Sequence, residues 1–187
     1  LRQLTGAADP YLDVKNRYNL FALGLYPELR ERVEDSSDPF ETAVRLAIAG
    51  NIIDFGVNSH VDQGTVHGAI LRSLTEPIDR DAVQRLRRAI DRAKDILFLG
   101  DNAGEIVLDR LLIERMPSEK ITYVVRGHPI LNDALTEDAR ISGLTEMVEV
   151  IDNGSDAPGT ILDTCSERFR GRFERADLII AKGQGNF

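Results

Sequence analysis

The sequence predicts an α/β fold: three layers, α/β/α, around a mainly parallel, Rossmann-like sheet, with an all-helical part before it. Three observations carry this reading. From residue 95 onward, four short apolar runs (96–99, 121–125, 147–151 and 178–181) alternate with amphipathic stretches at 105–116, 133–142 and about 160–174. Runs of that length between polar punctuation read as buried strands, and the longer periodic stretches as helices. The runs are apolar on both faces, so each needs cover on both sides, as in a parallel sheet between helices. Before residue 95 the pattern is helical. The expected organisation is one continuous domain, with a helical part at 1–94 and a parallel α/β part at 95–187. It starts at Leu1 rather than Met and stops at Phe187, directly after an apolar run and a Gly-rich turn, which reads as a chain truncated at both ends.

Taken in order, Asp9-Pro10 opens a helix with Val14, Tyr18, Phe21, Ala22 and Leu25 near helical spacing. Tyr26-Pro27 is expected to break it, with a short charged helix following to about residue 34. Asp38-Pro39 with Glu41 is a start signal: an N-cap, proline at the first helical position, and a carboxylate at the third. The helix it opens should run to a stop at Gly56 and, being apolar almost all round, lie deeply buried. Asn51 and Asp54 are out of place on it; three residues apart, they share one side. Either they tie down a neighbouring loop or they reach a ligand pocket. A helix is expected from 62 to 74, flanked by His60 and carrying His67. The spacing of these histidines is not that of a helical zinc pair, so they read as surface or hydrogen-bonded groups. Asp79 caps a helix with Val83, Leu86, Ile90 and Ala93 on one face and Arg80, Arg85, Arg87, Arg88 and Arg92 on the other. With Asp81, Asp91 and Asp95 interleaved, those arginines read as a solvated face.

Composition narrows the function. The 187 residues are 42% hydrophobic and 29% charged, an ordinary globular balance, with a formal charge of −8. That charge argues against a nucleic-acid partner. Cys165 is the only cysteine, which excludes an intramolecular disulfide framework and a thiolate zinc cluster. No apolar run reaches the length of a membrane span and no signal peptide is evident, so a cytoplasmic protein without a membrane partner is expected. Oligomeric state has no signature.

The chemistry gathers where the strands end. Parallel strands place their carboxyl ends on one edge, where open α/β sheets bind ligands. Here the ends carry Asp101-Asn102, then Arg126-Gly127-His128-Pro129 with Asn132-Asp133, then Asp152-Asn153-Gly154-Ser155, then Lys182-Gly183-Gln184-Gly185-Asn186. Each has a bland reading: Asp101 and Asn102 as helix caps, Asn132-Asp133 likewise, Arg126 paired with a surface acid, Gly183 and Gly185 as turn residues. Together they favour a functional crevice. Asp101, Asn102 and Asp133 offer two carboxylates and an amide carbonyl, a hard-oxygen set suited to Mg²⁺ or Mn²⁺. Such an ion would also reconcile an acidic protein with a phosphate ligand, polarising a phosphoryl oxygen and orienting water. Lys182 and the backbone donors of 183–186 would neutralise the remaining oxygens. Whether water or a carboxylate attacks phosphorus is left open.

GDNAGE at 100–105, RGHPILND at 126–133 and KGQGNF at 182–187 resemble the motifs of the metal-dependent damage-control phosphatases, also catalogued as domain of unknown function 89 and as acidic-residue methyltransferase-like. AGNIIDFG at 49–56 is similar to a further motif of that family, and DPYLDVKNRYNLFAL at 9–23 to its archaeal and bacterial members. The resemblance spans nearly the whole chain. It implies a three-layer α/β domain with a helical N-terminal part, and a divalent metal, Mn²⁺ or Mg²⁺ with Ni²⁺ or Co²⁺ as further choices, on Asp101, Asn102 and Asp133. It implies catalytic roles for Asp101, Asp133 and Lys182, with Lys182, Gln184, Gly185 and Asn186 at the substrate phosphate. It places Asn51 and Asp54 near the pocket, and joins Arg126 and Asn132 to the substrate-binding candidates. The implied activity is hydrolysis of small phosphate monoesters, sugar phosphates or damaged phosphometabolites, so a small phosphorylated metabolite is the expected partner. The chain departs from the family in lacking an N-terminal cysteine pair and in stopping before the further sheet and phosphate-contacting lysine of other members. Glu105 is offset by one from an acidic residue of the eukaryotic motif and takes no role from it. Two other classes compete: an S-adenosylmethionine-dependent carboxyl methyltransferase, against which DNAG replaces a GxGxG-like loop, and a non-catalytic metabolite-binding module.

Overall fold

A computed structural model describes residue 6 and residues 8–53 and 63–186. Helix α1, Leu12–Glu34, buries Tyr18, Ala22, Tyr26, Leu29 and Val33 along one stripe. Pro27 lies inside it and does not break it. Proline removes one backbone hydrogen bond, but the stripe continues on both sides of it, and burial of Leu29 and Val33 overrides the local preference. Helix α2, Pro39–Ala49, starts as its signals require, with Asp38 accepting the Glu41 N–H at 3.1 Å.

The end of α2 departs from expectation. The helix stops at Ala49, a turn falls at Gly50, and 51–53 are again helical. It is not buried all round: Ile48 is 61% exposed, and Asn51 is exposed too. Asp54, His60 and Asp62 lie outside the described residues. Helices α3, Gln63–Ser73, and α4, Arg80–Arg92, follow, α4 capped by Asp79 through the Ala82 N–H at 2.9 Å. His67 Nε2 lies 2.9 Å from Glu28 Oε2, within ion-pair distance. The α4 arginines are matched by acids, Arg87 with Asp38 and Arg85 with Asp79.

The second half is strand and helix in turn: β1 (Ile96–Leu99), α5 (Glu105–Ile113), β2 (Ile121–Val125), α6 (Thr136–Ile141), β3 (Glu149–Asp152), α7 (Glu167–Arg175) and β4 (Leu178–Ala181). The helices are shorter than the sequence periodicity suggests because loops at the strand ends take up the difference. The four strands pair in the order β3-β2-β1-β4, and every pairing is parallel. Alternation along each strand divides the core into two layers. Ile96, Phe98, Ile121, Tyr123 and Val125 pack with α1, α2, α5 and α6. Leu97, Leu99, Val124 and Ile151 pack with Cys165 and Phe169 beneath α7. The first layer is continuous with the helical part, since Tyr18, Ala22, Leu46 and Ile53 belong to it. Among the described residues no helix is long and apolar enough to cross a membrane.

Candidate active site

Between β1 and β4 the sheet reverses its winding: the chain goes from β1 to β2 and β3 on one side and returns to β4 on the other. The carboxyl ends of these two strands therefore mark the crevice position favoured for ligands in open α/β sheets. The loops leaving β1 and β2 meet there. Asn102 and Asp133 form an isolated antiparallel bridge, with the Ala103 N–H donating to Asn132 O (2.9 Å) and the Ala134 N–H to Asp101 O (2.8 Å). Residues far apart in sequence, Asp101-Asn102 and Asp133, thus become neighbours.

The capping readings do not hold. The residue before α5 is Gly104, at φ +80°, and no side chain caps that helix. The Asn102 amide nitrogen turns instead to the Asp101 Oδ2 (3.0 Å) and Glu105 Oε2 (3.3 Å) carboxylates, which leaves its carbonyl oxygen as the donor atom a cation would use. Asp133 does not cap α6; that task falls to Asp138, which accepts the Leu135 N–H at 2.8 Å. Nor does Arg126 pair with a surface acid. It is 2% exposed, donates from Nε to Asp133 Oδ2 at 2.6 Å and from Nη1 to Asn186 Oδ1 at 2.9 Å. Its Nη2 lies 3.6 Å from Asp101 Oδ1 and is buried without a hydrogen-bond acceptor.

The loop after β4 packs against Asp101. Gly183 sits at φ +74°, and a Cβ there would overlap the Asp101 carboxylate, so only glycine lets the two loops approach this closely. The Asn186 side chain is fully engaged: it donates to Gly100 O (2.9 Å) and Lys182 O (2.8 Å) and accepts from Arg126 and from Thr160 Oγ1 (2.6 Å). Gln184 and Gly185 are exposed. Lys182 departs most from expectation. Its ammonium donates to Ala47 O at 2.8 Å, to Asp109 Oδ1 at 2.7 Å and to Glu105 Oε1. All three donors of the lysine are therefore committed to acceptors inside the protein.

Sequence reading missed Glu105, Asp109 and Tyr123, whose hydroxyl donates to Asp109 Oδ2 at 2.7 Å. The available signal was α5 itself: in EIVLDRLLI six of nine residues are apolar, too many for a surface helix, so its acids had to be buried. The Asp152–Ser155 turn serves structure: Asn153 Oδ1 accepts the Gly127 and Ser155 N–H groups, each at 3.0 Å. Asn51, exposed just past α2, lines a separate cavity with Arg45, Ile48, Ile52 and Pro77, whereas Asn132 is half-buried beside Asp133.

Four carboxylates, Asp101, Asp133, Glu105 and Asp109, face two cations, Arg126 and Lys182. Burial, then repulsion from Glu105 and Asp133, pushes the Asp101 pKa up to about 7 against the pull of Arg126 and Lys182. Burial also raises Asp133, although Arg126 draws it down. Burial lowers Lys182, but Asp109 and Glu105 outweigh this and hold it above the ordinary lysine range. Among the described residues no three His, Cys, Asp or Glu side chains gather as a metal site. The expected set has only two carboxylates, its third member being the Asn102 amide. Hard oxygens with surplus negative charge at Asp101 fit a divalent cation.

Residues 1–187 match the family model described as the damage-control phosphatase ARMT1-like domain. A damage-control phosphatase of Archaeoglobus fulgidus is 39% identical over 189 residues, covering 99% of this chain and 65% of that protein. A damage-control phosphatase of Pyrococcus horikoshii is 34% identical, covering 100% of this chain and 64% of that one. The crystal structure of a DUF89 family protein from Pyrococcus horikoshii superposes with a TM-score of 0.83 at 31% identity, over 100% of this chain and 65% of its own. The chain thus spans just under two thirds of the length of these relatives.

Proposed function

The chain belongs to the damage-control phosphatase ARMT1-like domain family, and on that premise we propose that it is a metal-dependent phosphatase hydrolysing small phosphate monoesters, sugar phosphates or damaged phosphometabolites. The observation that carries the proposal is the bridge between Asn102 and Asp133, which sets the Asp101-Asn102 pair beside Asp133 at the β1–β4 crevice. These three residues would hold a divalent cation, Mn²⁺ or Mg²⁺, with Ni²⁺ or Co²⁺ as further choices. When bound, such an ion polarises a phosphoryl oxygen and orients an attacking water.

The remaining roles follow from the contacts. Arg126 fixes Asp133 through Nε, and its buried, unsatisfied Nη2 beside Asp101 is a donor for a phosphoryl oxygen. Lys182 acts by holding Glu105, which in turn faces the Asn102 amide; its positive charge still favours an anionic substrate nearby. Asn186 pins the turn that presents Gln184 and Gly185 to the phosphate. Asn51 and Asn132 complete the proposed substrate contacts, and Asp54 is a further candidate.

The test is hydrolysis of p-nitrophenyl phosphate with Mn²⁺ and with chelator, beside a methyl-transfer assay using S-adenosylmethionine. Turnover should require the ion, and Asp101→Ala should reduce it to background. Undiminished turnover by that variant, or methyl transfer in place of hydrolysis, refutes the proposal.

A further inference from the structure

One side chain, remote from the crevice in sequence, touches one of the loops that carry the proposed cation donors and reaches the other through a single carboxylate. Asn19 lies on α1 and is 0% exposed. Its Oδ1 accepts the N–H of Gly104 at 2.7 Å, two residues after Asn102. Its Nδ2 donates to Asp138 Oδ1 at 2.7 Å. The second oxygen of Asp138 accepts the N–H of Leu135 at 2.8 Å, two residues after Asp133. Lys15, 1% exposed, lies 3.6 Å from that same oxygen and 2.7 Å from Asp9, so the buried carboxylate is charge-matched. Gly104 is itself boxed in: at φ +80°, a Cβ would stand 2.9 Å from Tyr18 Cβ. The two loops are also joined directly, by the Asn102–Asp133 bridge and by Arg126, which donates to Asp133 and lies 3.6 Å from Asp101.

We infer that Asn19 and Asp138 form a brace that sets the distance between the Asp101-Asn102 loop and the Asp133 loop, and thereby the affinity of the cation site. The inference rests on the proposed metal site. Asn19 and Asp138 are positioning residues: they act through the Gly104 and Leu135 backbones. An amide is required at position 19 because one atom must accept and another donate, which neither a carboxylate nor an apolar side chain can do. Asn19→Asp sets two carboxylates against each other, so the bond to Asp138 survives only if the pair takes up a proton.

The experiment is Mn²⁺ titration of the full chain, following free Mn²⁺ by electron paramagnetic resonance, with thermal unfolding of every variant alongside. Outer partners of metal ligands are worth on the order of 10- to 100-fold in affinity, and N19D and D138N should each weaken Mn²⁺ binding on that scale. The exchanged pair N19D/D138N rebuilds the chain of bonds. The carboxylate now at position 19 accepts from the Gly104 N–H and from the amide now at position 138, whose oxygen still accepts from Leu135. It should regain most of the lost affinity. A merely structural role would move the unfolding temperature and leave the affinity of the folded protein unchanged. That result, or a double variant no better than the singles, overturns the brace. Should N19D fail to fold, D138N and the double variant carry the same comparison. If the unaltered chain takes up no Mn²⁺, the metal site itself falls and the brace with it; equal affinities across the set sink only the brace.

Discussion

Lys182→Met separates two readings of the lysine after β4. If the ammonium contacts substrate phosphate, its removal weakens turnover and leaves folding intact. In the structure it neutralises Glu105 and Asp109, whose side chains are 2% and 0% exposed. Breaking a buried pair by deleting one partner costs about 3–5 kcal/mol, because a charge is left uncompensated. A stranded carboxylate can escape by taking up a proton. From an ordinary pKa near ~4, that costs about 1.4 kcal/mol per pH unit, so roughly 5 kcal/mol at pH 8 and roughly 1.5 kcal/mol at pH 5. Burial already raises Asp109 with the lysine present, and removing the cation raises it further. A carboxyl whose folded-state pKa is raised gives stability below its unfolded pKa and loses it as pH rises through the folded value. The deficit of Lys182→Met should therefore be about 3–5 kcal/mol at pH 8 and shrink to about 1–2 kcal/mol at pH 5. Urea unfolding at the two pH values, fitted by linear extrapolation, measures it. A variant within about 1 kcal/mol of the parent at pH 8, on the scale of an exposed ion pair, would refute the reasoning and return the lysine to the substrate.

The cation should matter to stability in a pH-dependent way. Asp101 is raised from 3.8 to about 7, so the ion-free protein should lose stability as pH climbs across that interval. Mn²⁺ competes with protons for the same oxygens, so at a fixed excess it should raise the melting temperature more at pH 8 than at pH 5, by a calorimetric or dye-based scan; equal shifts would count against a site at Asp101. Gly183→Ala places a methyl group against the Asp101 carboxylate at φ +74°. The left-handed backbone alone costs about 1–2 kcal/mol, and the displaced carboxylate should weaken Mn²⁺ binding as well, so an unaltered binding isotherm would contradict the described approach of the two loops.

Strands and the polar edge were legible because apolar runs ending in oxygen-bearing side chains require only local reading. Asp101, Asn102 and Asp133 can be grouped from sequence alone, since parallel strands deliver their carboxyl ends to one edge. What escaped were the consequences of packing. Pro27 signalled a break that buried Leu29 and Val33 overrode. Lys182 looked free because its partners, Ala47 O and Asp109, lie on helices far away in sequence. Asn51 looked buried because α2 is apolar in composition, although Ile48 and Asn51 face outward. Asn19 gave no signal: one amide on an amphipathic helix is unremarkable until the neighbouring loops are known.

Lys182 reaches Ala47 across 135 positions of chain, and Asn19 reaches Asp138 across 119. Closing such large loops is entropically unfavourable until most of the molecule is in place. Helical signal should therefore return early after dilution from denaturant, while the capacity to take up an ion returns only with the slowest phase. Ligation would then time the moment at which the two halves of the chain finish docking.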